Sequence, residues 1–199
     1  MLAIARERAK ENGLANIIEF HEADAESLHL PPSSIDAIVC RFGLMFMPSS
    51  WYFESNESCP CPGGRIAAAV WSAPDKVPSF VVPLQIVMKE MATPPPPPES
   101  PGPFSLADTK LLRQKFEQAG FHDINIEAIL SDFKLPSPKE FVDFVRSTAG
   151  SLGAMMAGLP AARQDEICNK VADAVRKHAD PRIGTVSFTN DVILVSAKR

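Results

Sequence analysis

Two stretches hold the residue types with the strongest claim to chemistry, and each follows a predicted strand. Asp24 lies in the acidic run His21-Glu22-Ala23-Asp24-Ala25-Glu26, just beyond a short β-branched and aromatic segment at 16–20. Ligands of open α/β sheets bind at that carboxyl end of the strands. A carboxylate there accepts a hydrogen bond from an exocyclic amine such as that of adenine; the plainer alternative is an acidic loop that caps a short helical turn. Arg41-Phe42-Gly43-Leu44-Met45-Phe46-Met47 follows the next apolar run. Gly43 permits close backbone approach, and the soft apolar side chains beside it suit a flat ring as well as they suit helix packing.

The remaining candidates are weaker. Cys59-Pro60-Cys61 lacks the ligand spacing of a zinc site, and His21, His29, Cys40 and Cys168 are dispersed, so no metal is expected. His29 and His122 are the candidates for a general base, although neither has a convincing claim. His122 and His178 read more simply as surface residues, and Glu127 and Asp132 as solvated carboxylates. The chain contains no G-x-G-x-x-G and no P-loop, the usual glycine loops for a nucleotide-like group.

The elements that must position these residues alternate between helix and strand. Leu2, Ala5, Ala9 and Leu14 recur at helical spacing, with Gly13 as the stop. Strands are predicted at 16–20 and at 35–41, the latter a nearly continuous apolar run expected to be covered on both faces. Pro62-Gly63-Gly64 is a turn before a third buried strand at 65–71. A helix is predicted over 80–91 despite Pro83, then an extended stretch through the consecutive prolines at 94–98. Ser105 is the expected N-cap of a helix reaching Ala119, with Gly120 at its end. A half-solvated strand follows at 121–129, helices at 137–149, 151–159 and 161–178, then a strand at 185–188, a turn at 189–191 and a terminal strand at 192–197. The pattern is α/β.

Composition narrows the function classes. The 199 residues carry 20 Lys plus Arg against 24 Asp plus Glu, a formal charge of −4 with no basic cluster, so nucleic acid is not an expected partner. No apolar run is long enough to span a bilayer, and the N-terminus has no signal-like apolar block; a cytoplasmic protein is expected. Four cysteines, irregularly placed, read as free thiols.

Three blocks taken together resemble the class I S-adenosylmethionine-dependent methyltransferases, in the small-molecule branch of the ubiquinone and menaquinone C-methyltransferases. They are Asp24-Ala25-Glu26-Ser27-Leu28, then Ile35-Asp36-Ala37-Ile38-Val39-Cys40-Arg41-Phe42-Gly43-Leu44-Met45-Phe46, and Pro62-Gly63-Gly64-Arg65-Ile66-Ala67-Ala68-Ala69-Val70-Trp71. Ala119-Gly120-Phe121 and the stretch 192–199 resemble the family's later elements. The resemblance implies a Rossmann-like methyltransferase sheet, incomplete here, with helices on both faces and a helical and Pro-rich insert. It implies S-adenosylmethionine as cofactor, with Asp24 and Ala25 at the adenine and Arg41, Phe42 and Gly43 along the methionine side. Phe104 and the Pro-rich segment would belong to a lid over a small-molecule acceptor.

The chain begins at the helix that in this family follows the glycine loop and the acidic ribose contact. A single domain over 1–199, truncated at its N-terminus, is therefore expected, with a flexible insert at 72–104 and a helical cap at 137–180. Residues 49–61 are poor helix material where the family has a helix. Weak cofactor binding follows from the missing contacts, and a non-catalytic remnant acting as a binding module is the alternative reading. A dinucleotide oxidoreductase shares the architecture, but the missing glycine fingerprint counts against it. The implied strand order, 3-2-1-4-5-7-6, would leave 17–20 and 35–40 three strand spacings apart, roughly 14 Å. Direct pairing of these two segments is the expected repair, and self-association through an exposed sheet edge is the alternative.

Overall fold

Gly13 stops the first helix. In the computed structural model, which describes residues 2–24, 31, 34–47, 61–94, 97, 100–148 and 150–199, α1 (Leu2–Glu11) runs into Gly13 at φ 71°, a conformation glycine adopts without steric cost. The strand expected at 16–20 does not form. The amides of Ile17 and Ile18 both donate to the Leu14 carbonyl, at 3.0 and 3.1 Å, and Ile17 is 76% exposed. A lone extended segment has no ladder to satisfy its backbone groups, so local turn bonds prevail. The expected pairing of this segment with 35–40 is accordingly not made.

The sheet among the described residues comprises β1 (Ala37–Arg41), β2 (Arg65–Trp71), β3 (His122–Leu135) and β4 (Val186–Lys198), in the order β1-β2-β4-β3. β1 and β2 are parallel, with Ala37 opposite Arg65 and Arg41 opposite Ala69. β4 is antiparallel to both of its neighbours and sets Trp71 opposite Val192 and Phe133 opposite Phe188. This reproduces the 4-5-7-6 part of the implied order.

The helices are α2 (Pro78–Glu90), α3 (Thr109–Gln118), α4 (Pro138–Thr148), α5 (Gly150–Met156) and α6 (Ala161–Val175). Opposed residues share a face of the sheet. On one face Ile66, Ala68 and Val70 of β2 join Ile193, Val195 and Ala197 of β4 beneath Leu112 and Phe116 of α3. On the other, Val186 and Phe188 of β4 pack with Phe141 of α4 and Val171 and Val175 of α6. Val87 of α2, Leu152 and Met156 of α5 and Ile167 of α6 form a third cluster. Helices therefore cover both faces. They do not cover all of each face: Val39 is 84% exposed, so β1 is not the doubly covered strand its apolar run predicts.

Two further expectations are corrected. The N-cap of α3 is Asp108, whose carboxylate accepts from the Lys110 and Leu111 amides, while the Ser105 hydroxyl donates to the Met45 carbonyl at 2.7 Å. Residues 189–191 are not a turn but the middle of β4. Asn190 is 2% exposed, its side-chain oxygen accepts from the Ser79 amide, and the Asp191 carbonyl accepts from the Ser72 amide. Those tertiary bonds, with β3 opposite, outweigh the local turn preference of Asn-Asp. β3 likewise runs on to Leu135. Most of the proline run (95, 96 and 98) and residues 48–60 lie outside the described residues.

Candidate functional site

The carboxyl ends of β1 and β2 lie side by side, and the chain leaves β1 through a tightly held turn. Phe42 continues the parallel ladder by donating its amide to the Ala69 carbonyl at 2.9 Å, then turns left-handed at φ 56°. A bulky side chain there costs about 1–2 kcal/mol. Its ring stacks on Trp71 with centroids 4.1 Å apart and planes at 22°. An aromatic pair contributes about 0.5–1.5 kcal/mol beyond its buried area, enough to offset much of that strain. Gly43 follows, where a Cβ would stand 3.1 Å from the Cys40 sulfur. A larger residue would push on the strand it has just left.

The turn is then pinned from the far side. Residues Leu44–Phe46 form a 3-10 turn in which Leu44 and Met45 are buried. The Met45 carbonyl accepts from the Gly102 amide at 2.9 Å as well as from Ser105. Arg41, paired in register with Ala69, is exposed, and Phe46 is 47% exposed. The structure thus brings Arg41, Phe42 and Gly43 together at the edge where α/β sheets bind ligands. Asp24 is exposed in the coil after α1. Ala25 and His29 fall outside the described residues.

The helical segment between β3 and β4 belongs to the same end of the sheet. β4 extends past its Trp71 partner, Val192, back to Val186, so residues 136–185 emerge beyond the carboxyl end of β2. The Glu90 carboxylate at the end of α2 accepts from Arg163 and Lys170 of α6, each at 2.8 Å, and Glu166 pairs with the same two cations. The hydrogen bond from Lys170 is the leading reason that Glu90 is held below the usual carboxylate range. Phe104 meets Phe80 of α2 edge-on at 5.9 Å.

The remaining titratable candidates separate. His122 is exposed, 3.6 Å from the Asp123 carboxylate. His178 is not the surface residue expected: it is half-buried against Phe188, at 4.4 Å between centroids, and burial pushes its imidazole down. Burial likewise pushes the Cys168 thiol up, which suits a packing role rather than a nucleophile. Cys40, Cys61 and Cys168 are free thiols, and Cys61 donates to Asp36 at 3.6 Å. Among the described residues no three His, Cys, Asp or Glu side chains are grouped to hold a metal ion. Sequence reasoning missed Trp71 and Ser105 as partners of the turn; an aromatic ending a strand beside the Phe-Gly pair was the available signal.

This sheet, with its parallel pair and antiparallel last strand, is that of the Rossmann-like methyltransferases. Residues 1–58 match the model of a methyltransferase domain. The ubiquinone/menaquinone biosynthesis C-methyltransferase UbiE of Brucella suis is 38% identical over 73 residues, which is 36% of this chain and 27% of that protein. The chain thus aligns with little more than a quarter of that relative. A candidate methyltransferase of Bacillus halodurans superposes on 99% of this chain and 78% of its own, with a TM-score of 0.57 at 19% identity. Phosphoethanolamine N-methyltransferase 2 of Haemonchus contortus, solved with phosphomonomethylethanolamine and S-adenosylhomocysteine, covers 100% of this chain and 41% of its own, with a TM-score of 0.52 at 15% identity. The resemblance to class I S-adenosylmethionine-dependent methyltransferases is borne out: the likeness to the ubiquinone/menaquinone branch lies in sequence over about a third of the chain, and nearly the whole chain shares the methyltransferase fold.

Proposed function

We propose that the chain serves S-adenosylmethionine-dependent methyl transfer to a small-molecule acceptor. The observation that carries this reading is the Arg41–Gly43 turn, which stands at the ligand-binding end of β1 within the segment that matches a methyltransferase domain. The donor set suits the cofactor. The exposed Arg41 guanidinium is matched to the methionine carboxylate, Phe42 and Gly43 leave room for the thioether chain, and the carboxylate of Asp24, with Ala25, is assigned to the adenine. When bound, the cofactor supplies an activated methyl group. The chain's own part is to orient the acceptor for in-line displacement at carbon, where proximity provides much of the rate. A base is needed only if the acceptor must lose a proton, and no residue is assigned that role.

The segment 137–180 acts as a cap over the acceptor and 72–104 as the insert that joins it to the turn, within one domain. The acceptor class follows the small-molecule branch that the Brucella relative represents, and a cytoplasmic setting goes with it. No helix among the described residues is long and apolar enough to cross a membrane. Among the described residues β1 is an outer strand of the sheet and its Val39 is exposed, and this is the surface through which the chain would self-associate.

Calorimetry with S-adenosylhomocysteine tests the reading. Weak binding is expected, with a dissociation constant on the order of 100 μM, lost on Arg41→Ala and on Asp24→Ala. Absence of binding at millimolar ligand overturns it.

A further inference from the structure

We propose that Trp71 is a positioning residue: its indole holds Phe42 in the left-handed conformation that sets Gly43, relative to the ladder-bound Arg41, toward the cofactor. The inference rests on the functional reading above and adds to it a residue with no assigned role.

A left-handed phenylalanine is an unusual choice for a turn, because glycine takes that conformation freely and most turns that need it use glycine. Phe42 also precedes a glycine, so the chain has the permissive residue one position late. Something must hold the strained residue in place, and the structure shows what does. The Phe42 amide is committed to the Ala69 carbonyl on one side, and the Met45 carbonyl is committed to Gly102 and Ser105 on the other. These bonds fix the ends of the turn. The dihedral between them is left to the side chain, and the side chain is clamped on Trp71.

The register gives the clamp its direction. Ile66, Ala68 and Val70 alternate onto the buried face of β2, and Trp71 is out of phase with them. Phe42 and Trp71 nevertheless both pack against the cluster that holds Ile66, Ala68 and Val70, beside Ile38 and Cys40 of β1. The left-handed turn allows the two rings to meet, and the same rotation sets the direction in which Gly43 leaves the sheet. Gly43 leaves no room for a side chain there, since a Cβ would stand 3.1 Å from the Cys40 sulfur. Strain that is over-determined by its surroundings and located at a ligand-binding edge is a mark of pre-organisation.

The test separates orientation from stability in the 199-residue chain, with S-adenosylhomocysteine as the probe, affinity read by calorimetry and stability by thermal unfolding. Trp71→Ala is expected to weaken binding by about tenfold or more, and Trp71→Phe to restore it to within about threefold of the original. Phe42→Gly provides the second arm. Glycine adopts φ 56° without strain, so the unfolding midpoint should move by no more than about 3 °C while the freed turn binds about tenfold more weakly. Unchanged affinity in Trp71→Ala and Phe42→Gly, with the wild type binding normally, overturns the positioning role and leaves the methyltransferase reading intact. Loss of affinity in Phe42→Gly only in proportion to a lowered midpoint overturns it as well, since that is the signature of a merely structural pair. A wild-type chain that does not bind the probe overturns both.

Discussion

The first 24 residues and the chain from β2 onward divide the work between them in an unexpected way. The N-terminal part lies within the methyltransferase-domain match, yet Ala9 is the one buried residue of α1, and Ile4, Ile17 and Ile18 are 57%, 76% and 39% exposed. The part from β2 to β4 has no residue in that match, yet it supplies most of the three apolar clusters. Burial, and with it the stability of the fold, is thus concentrated where the apolar residues alternate with suitable volume, and not in the part whose sequence matches the methyltransferase domain.

Four measurements press on that contrast. Phe116 of α3 is 1% exposed against the sheet, and Phe116→Ala should cost about 3–5 kcal/mol of unfolding free energy in denaturant titration. A loss below about 1 kcal/mol would mean that the sheet is not the stable body described here. His178 comes next. Its folded-state pKa lies below the unfolded one because burial disfavours the charged ring, with Lys177 acting in the same direction. The unfolded state therefore takes up the proton first, so this contribution is complete above the unfolded pKa of about 6.5 and is lost as pH falls through the lower folded value. The expected fall in unfolding midpoint is a few degrees, and His178→Phe should flatten the profile.

The third concerns the link between α2 and the segment after β3. Glu90→Gln removes a carboxylate that holds two cations, and a small drop in midpoint is expected that narrows at about 1 M salt. Glu90 and Glu166 are both held below their ordinary pKa, mainly by hydrogen bonds from Lys170 and Arg163 respectively. Their contribution is present above the unfolded carboxylate pKa and is lost as pH falls through the lower folded values. The smallest effect should come from the N-terminal part: Ile17→Ser is expected to shift stability by no more than about 0.5 kcal/mol. A loss comparable to that of Phe116→Ala would erase the contrast between the regions.

The sequence determined the elements that local chemistry governs. Helical spacing from Leu2 to Ala9 with Gly13 as the stop, the strands at β1 and β2, Gly120 at the end of α3, and the helices α4 to α6 all stand where their residues put them. It also pointed to Arg41, Phe42 and Gly43, because a glycine after an apolar run marks a strand end that a ligand can approach. What it did not determine was every feature that depends on a distant partner. Residues 16–20 have strand composition, but no strand among the described residues pairs with them, and the amides of Ile17 and Ile18 bond back to Leu14 instead. Residues 189–191 have turn composition but stay extended, because Ser72, Ser79 and β3 bond the backbone and Asn190 from outside. Ser105 gives up its capping role to the Met45 carbonyl 60 residues away in sequence. The left-handed Phe42 is the same lesson at the site: its conformation is written in no local preference, and it is held by distant partners, the Ala69 carbonyl on its amide and the indole of Trp71 on its ring.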